Sequence, residues 1–158
     1  MIHVRRAVPE DLEEVAGLFD QYRVFYGQAA DLAAAHRFMA DRMERSDSVV
    51  LVAEMPTGVL AGFTQLFPGF SSVAVAPVFI LNDLFVSSAQ RRKGVGQALL
   101  RAAADFAHAA GAVRISLATA IDNRPAQALY ESLGWVRNTQ FHQYNLVIEA
   151  DMSREPSA

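Results

Sequence analysis

Ile80-Leu81-Asn82-Asp83-Leu84-Phe85-Val86, Ser87-Ser88-Ala89-Gln90, Arg91-Arg92-Lys93-Gly94-Val95-Gly96 and Gln97 to Ala104 follow one another without a break. The first seven residues read as a buried strand, and the next four as a short polar link. A basic loop with two glycines comes next, and then a helix with an apolar stripe of Ala and Leu. This order suits a phosphorylated ligand. Glycine lets the backbone come close, free N–H groups point at oxygens, and the helix N-terminus adds partial positive charge. Arg91, Arg92 and Lys93 place three cations beside that turn, suited to a pyrophosphate. Cations are unfavourable at a helix start, so three of them there need a reason. A solvated basic helix start is the plainer alternative.

Two familiar phosphate motifs fail on these residues. The dinucleotide fingerprint needs a third glycine where Leu99 stands, and an acid about 20 residues on. The residues there are Ala112-Val113-Arg114-Ile115-Ser116-Leu117-Ala118. The nucleoside-triphosphate loop needs Gly-Lys followed by Ser or Thr, which is absent.

Outward from this segment, Ile2 to Ala7 reads as a first strand. Pro9-Glu10-Asp11 opens a helix whose apolar face is Leu12, Val15, Ala16, Phe19 and Tyr22, and Gly27 ends it. Asp31 caps a second helix carrying Leu32, Ala35, Phe38, Met39 and Met43. Val49 to Met55 and Val59 to Phe67 form a hairpin across Pro56-Thr57-Gly58. Pro68-Gly69 is expected to break the second of these strands, and residues 71–77 read as a loop or irregular strand. Arg114 to Thr119 is a short strand, predicted parallel to 78–86 through the helix between them. Pro125 opens a helix to Leu133 that Gly134 ends, and Phe141 to Ile148 is a last strand. The fold class is α/β: a mixed, mostly antiparallel sheet of six to seven strands flanked by about four helices. Residues 1–150 form a single domain, and 151–158 a polar tail.

A second constellation is Asn123-Arg124-Pro125-Ala126-Gln127-Ala128-Leu129-Tyr130-Glu131-Ser132-Leu133-Gly134-Trp135. Asn123 and Tyr130 are seven apart, so on a continuous helix they share a face about two turns, or ~10 Å, apart. With both segments in view the chain resembles the GNAT superfamily of N-acetyltransferases over most of residues 1–148. The likeness is sharpest at 80–104 and 119–135.

The resemblance implies acetyl-CoA as cosubstrate. Arg91, Gly94 and Gly96 match the family's pyrophosphate motif, with backbone from Arg92, Lys93, Val95 and Gln97. Leu84, Phe85 and Val86 match the strand that pairs with the pantetheine arm. Asn123 matches the Asn that contacts the cofactor, with Ala126 beside it. Tyr130 matches the usual general acid. The Ile80 to Val86 string further resembles the branch of diamine (spermidine-type) and related small-amine acetyltransferases. Two residues depart from the pattern. Asn82 stands where that branch often has a carboxylate, and Arg92 where Gly is frequent.

The implied reaction moves acetyl from a thioester to an amine, which must be neutral to attack. A lysine-like amine has a pKa of about 10.4, so a group must take its proton. Asp83 is the leading carboxylate and Glu54 the second; a structural hydrogen-bonding role is the alternative for Asp83. Strand alternation sets Asp83 opposite Asn82 and Leu84, so only one of Asn82 and Asp83 is expected to face the substrate. The Val86 N–H is the candidate donor to the developing oxyanion. Tyr130 would protonate the departing thiolate. Tyr22, Tyr26, Asn82 and Ser71 are candidate acceptor-binding residues, with Phe25, Phe70 and Ser72 nearby in the pattern.

The bulk numbers set the frame. The chain has 158 residues, 52% hydrophobic content, net charge -3 and no Cys. That composition supports a sizeable core rather than disorder, and the mild negative charge argues against a nucleic-acid partner. Without Cys there is no disulfide, thiolate metal site or acyl-cysteine route, so direct attack in a ternary complex is favoured. The four histidines show no metal-ligand spacing, so no metal is expected. No signal peptide or 18-residue apolar run is visible, and the expectation is a cytoplasmic protein with no membrane partner. The last strand offers an edge for a homodimer. The expected function is acetyl transfer to a primary amine of a small molecule. A peptide or protein acceptor, or an acyl-CoA-binding module without turnover, are the alternatives.

Overall fold

The computed structural model describes residues 1–149, and the tail at 151–158 lies outside the described residues. Contacts divide the chain into two compact units, Met1–Ala118 and Thr119–Ala158.

The first unit is built on five strands: β1 (His3–Arg6), β2 (Val49–Glu54), β3 (Leu60–Ser71), β4 (Ala76–Val86) and β5 (Ile115–Ser116). They lie in sequence order across the sheet. β1 to β4 are antiparallel in turn, and β4 pairs with β5 in parallel. Helices α1 (Leu12–Phe25) and α2 (Leu32–Arg45) sit between β1 and β2 in the chain, and α3 (Val95–Ala109) between β4 and β5. Asp31 caps α2 by accepting from the Ala34 N–H at 3.0 Å, as its position before an apolar-periodic run predicts.

Each face of the sheet has its own core. Val15, Leu18, Phe19, Ala35 and Met39 of α1 and α2 pack on Val50, Val52, Leu60, Phe63 and Phe85. Val95 and Leu99 of α3 pack on Ala53 and Ala61 on the other face. Each large apolar side chain so buried contributes about 1.5–3 kcal/mol before entropy is counted. Gly62 sits where β3 meets the end of β4. A Cβ there would lie 2.5 Å from the Phe85 carbonyl oxygen and 3.4 Å from Leu99 Cδ1, so only glycine lets the two strands and α3 close together.

Three sequence expectations change. β3 does not break at Pro68-Gly69; Pro68 pairs with Phe79 and Gly69 with Val78. β2 begins at Val49, which pairs with Leu66, so beyond Leu66 that flank of β3 has no partner and the missing proline N–H costs no ladder bond. Of residues 71–77, read as a loop or irregular strand, Ser71 ends β3, Ala76 and Pro77 begin β4, and only 72–75 form the tight hairpin turn. The sheet also has five strands among the described residues, not six to seven. The segment Arg114 to Thr119 contracts to two residues, and Phe141 to Ile148 enters no ladder. A strand exists only through its pairing, so apolar alternation at 141–148 is not sufficient.

The second unit holds α4 (Arg124–Ser132). Asn123 is its N-cap, accepting from the Ala126 N–H at 3.3 Å, and Pro125 stands in its first turn. Gly134, at φ 91°, follows its C-terminal end, and the Trp135 N–H returns to the Tyr130 carbonyl at 3.0 Å.

Candidate active site

β4 carries the first half of the site, and an irregularity in it decides the geometry. Leu66 pairs with Leu81, but Gln65 pairs with Asp83, so Asn82 is an extra residue in the ladder. This β-bulge turns the strand over. Before it, Phe79 faces α3, with its ring 5.8 Å from that of Phe106. After it, Phe85 packs in the core beneath α1 and α2, and Asp83 lies on that same face because it pairs with Gln65 as Phe85 pairs with Phe63. The opposite-face expectation for Asn82 and Asp83 fails for this reason. The Asn82 Nδ2 donates to Asp83 Oδ1 at 3.0 Å, so the two side chains act together.

Asp83 is buried, at 3% exposure, and sits in a chain of polar groups. The Gln65 Nε2 donates to its Oδ2. Ser48 Oγ–H donates to Gln65 Oε1 at 2.8 Å. Tyr22 of α1 reaches the Asn82 carbonyl oxygen at 3.3 Å and bears on the Asp83 carboxylate as well. Burial pushes the Asp83 carboxyl above the ordinary carboxylate range; hydrogen bonds from Gln65, Tyr22 and Asn82 act in the opposite sense. A carboxylate raised this way is a better proton acceptor than a free one. Rings of Phe19, Tyr26, Phe63 and Phe85 lie 5.0–6.3 Å from that of Tyr22. An aromatic wall beside a carboxylate suits an ammonium group.

The end of β4 is open on its β5 side. β5 pairs only with Phe79 and Ile80, so within the first unit nothing continues the ladder along Leu84 to Val86. The Ser87 N–H bonds the Ala61 carbonyl at 2.9 Å. Alternation in an antiparallel ladder then turns the N–H and C=O of Val86, and of Leu84 two residues back, away from β3. Backbone donors and acceptors therefore face the open side, as an extended ligand arm requires.

The basic turn follows. Arg91 Nε donates to the Val86 carbonyl at 3.2 Å, and its guanidinium lies over the rings of Phe25 and Phe85 at 5.6 and 5.8 Å. Lys93 Nζ donates to Gln90 Oε1 at 3.1 Å. Gly94 caps α3 at φ 82°. The N–H groups of Val95, Gly96 and Gln97 fall in the first turn, where no carbonyl four residues back can take them. Arg92 has φ 62°, the left-handed region that favours glycine, which accounts for the family's frequent Gly at this position. Arg92→Gly is expected to raise the unfolding free energy by about 0.5–1 kcal/mol, the left-handed cost less glycine's extra entropy. Chemical denaturation of the two proteins measures this directly.

The other candidates divide. Tyr26 is on the Tyr22 side, with rings 5.0 Å apart. Ser71 is not gathered into the site. It pairs with Ala76 at the far end of the hairpin, seven residues from Asp83 or roughly 20 Å along the strand, and its Oγ accepts from the Ala74 N–H. Glu54 is held by Arg5 at 2.7 Å, and the same guanidinium grips Asp11. In the second unit the Asn123 Oδ1 and the Ala126 N–H bond one another, and the Tyr130 ring lies 6.1 Å from that of Trp135. Sequence reasoning missed Gln65 and Ser48. The signal was available: Thr64-Gln65 interrupts an apolar strand, and a buried amide needs partners.

A strand with an open C-terminal edge, a basic amide turn and a helix start is the arrangement an acyl-CoA would need, and known proteins share it. The model of the Acetyltransferase (GNAT) family matches residues 13–135. An uncharacterized N-acetyltransferase of Bacillus subtilis, YhfO, is 46% identical over 149 residues, 94% of this chain and 99% of its own. The crystal structure of a probable acetyltransferase superposes with a TM-score of 0.89 at 37% identity, covering 94% of this chain and 99% of that one. An L-ornithine N5-acetyltransferase of Arabidopsis thaliana is 36% identical over 76 residues, 48% of this chain and 33% of its own. No helix among the described residues is long and apolar enough to cross a membrane. The match over most of the chain, on the elements that build this site, establishes that the protein belongs to the GNAT acetyltransferase family and is an acetyl-CoA-dependent N-acetyltransferase.

Proposed function

We propose that residues 1–150 act as one domain that acetylates a primary amine of a small molecule by direct attack in a ternary complex. Asp83 takes the amine proton, Asn82, Tyr22 and Tyr26 hold the ammonium end, and Arg91 to Gln97 hold the pyrophosphate. Asn123, Ala126 and Tyr130 complete the cofactor side. The observation that carries this reading is the bulge at Asn82, which brings Asp83, Asn82 and Tyr22 together on the strand that leads into the basic turn. The relative named for acetylating N5 of ornithine supports an amine acceptor of this size.

Acetyl-CoA supplies a thioester-activated acetyl group. Asp83 accepts a proton from the bound ammonium, and the freed nitrogen lone pair forms the C–N bond. The Val86 N–H faces the carbonyl oxygen as it gains negative charge. The nitrogen, cationic once the C–N bond has formed, gives its second proton to solvent. As the C–S bond breaks, Tyr130 gives its hydroxyl proton to the sulfur and regains one from solvent, and Asp83 releases its proton to solvent after the products leave. The test is thiol release from acetyl-CoA over a panel of short alkylamines, diamines and amino acids, set against peptides with free N-termini or lysines. Turnover is expected on small amines at kcat/KM at least tenfold above any peptide. Preference for peptides would reverse the reading, and cofactor binding with no turnover on any amine would remove it.

A further inference from the structure

We infer that Gln65 is a positioning residue for the proton acceptor, and that Ser48 anchors the far end of its amide. The inference rests on the reading of Asp83 as that acceptor.

Gln65 is fully buried at 0% exposure and Ser48 nearly so at 5%. A glutamine amide has a donor end and an acceptor end, and the two can exchange by rotation. An ionised carboxylate only accepts, so Asp83 needs the donor end. The carboxylate itself selects that end: Nε2 lies on Asp83 Oδ2, and the Ser48 hydroxyl, which rotates to suit, donates to the Oε1 left at the far end. With Ser48 in place the amide stabilises the ionised form of Asp83 and holds its plane. A second carbonyl–hydroxyl bond, from Thr64 Oγ1 to the Asp83 backbone oxygen at 2.7 Å, fixes the strand beneath. The other groups facing this carboxylate are few. Tyr22 is the titratable one from α1 and Asn82 the polar one from β4. α2 and β2 bring Ala35, Met39, Val50 and Val52 to that core, none of them charged. Gln65 is therefore the main neutral donor arriving from β3.

The sign of the effect follows. Removing the Gln65 donor takes stabilisation from the ionised form, so the Asp83 pKa rises. Less of the carboxylate is then available on the acid side, and more alkaline conditions restore it. A hydrogen bond to a charged group corresponds to a shift of about one to two pH units.

The test is a carbon-13 carboxyl titration of the full-length chain, with Asp83→Asn identifying the signal. Gln65→Met, close in volume, is expected to raise the Asp83 pKa by about one to two units. Ser48→Ala, which leaves Oε1 without its donor and loosens the amide, should raise it by a smaller amount and serves if Gln65→Met does not fold. Ser48→Thr keeps the hydroxyl and should restore the wild-type value. Ser48 also lines a cavity of about 710 Å³ with Leu12, Met43 and Val50. The acid limb of kcat/KM on an amine substrate should move with the titration. An Asp83 pKa unchanged in both Gln65→Met and Ser48→Ala would overturn the inference even if Asp83→Asn is inactive. A shifted pKa together with full activity of Asp83→Asn would instead overturn the base reading, and the inference with it.

Discussion

Asp83→Asn is expected to lower kcat/KM for the amine by about 10²–10³ near neutral pH. The shape of its pH profile is the sharper signature. With an amine pKa of about 10.4, only about one molecule in a thousand is neutral at pH 7.4. Under the proposed mechanism wild-type enzyme draws on the ammonium form, with Asp83 taking the proton at the site. The Asn variant must wait for the free amine, so its rate should climb about tenfold per pH unit up to the pKa of the amine. Stability should move the other way. Burial holds the Asp83 pKa above the ordinary carboxylate range, so the folded state binds that proton more tightly than the unfolded one. The stability this contributes is present below the unfolded pKa and is lost as pH rises through the folded pKa. Above that window the buried charge is a cost. Asp83→Asn should then unfold at the same or higher temperature at pH 8, its amide oxygen accepting from Gln65 Nε2 as the carboxylate does. A variant inactive because it is unfolded would show the opposite, so a melting curve beside the rate separates the causes.

Tyr130→Phe is expected to reduce kcat by about 10²-fold and to leave the KM for acetyl-CoA within about twofold. The reason is the timing of the proton. A thiolate whose parent thiol has a pKa near 8.5 leaves more easily when a hydroxyl donates to it as the bond breaks. The ring and its packing against Trp135 survive the loss of one oxygen, so binding is spared. An interaction made only in the transition state lowers kcat and kcat/KM together. A rate constant equal to wild type would exclude Tyr130 as the acid. A rise in KM alone would make it a cofactor contact.

The elements most legible in the sequence were those whose pattern is local. Asp31 announced its helix by capping chemistry, Pro125 its own by standing in a first turn, and Gly94 its turn, because such signals depend on three or four neighbouring residues; the capping role of Asn123 was not read from the sequence. The parallel pairing of β4 with β5 was readable from the helix between them. The bulge at Asn82 was not, since it is a mismatch in count between β4 and β3 that no single strand reveals. That one extra residue put Asp83 beside Asn82 and Tyr22, against simple alternation. Pro68 misled for a related reason: its cost depends on whether a neighbour strand reaches that far, and β2 stops short. Ser71 came in with the loops that the family resemblance sets around the substrate, and the hairpin carries it away. Gln65 was overlooked because buried polar residues show their purpose only with their partners.

Single-turnover transfer offers the most direct measurement. Full-length protein loaded with carbon-13 acetyl-CoA is mixed with the best small amine from the panel, and the labelled amide is followed by NMR. The N-acetylated amine should appear at the rate of CoA thiol release with wild-type protein, and at least a hundredfold more slowly with Asp83→Asn at pH 7.4, both proteins binding acetyl-CoA alike. Equal rates in the two proteins, or no labelled amide from any small amine, would contradict the account.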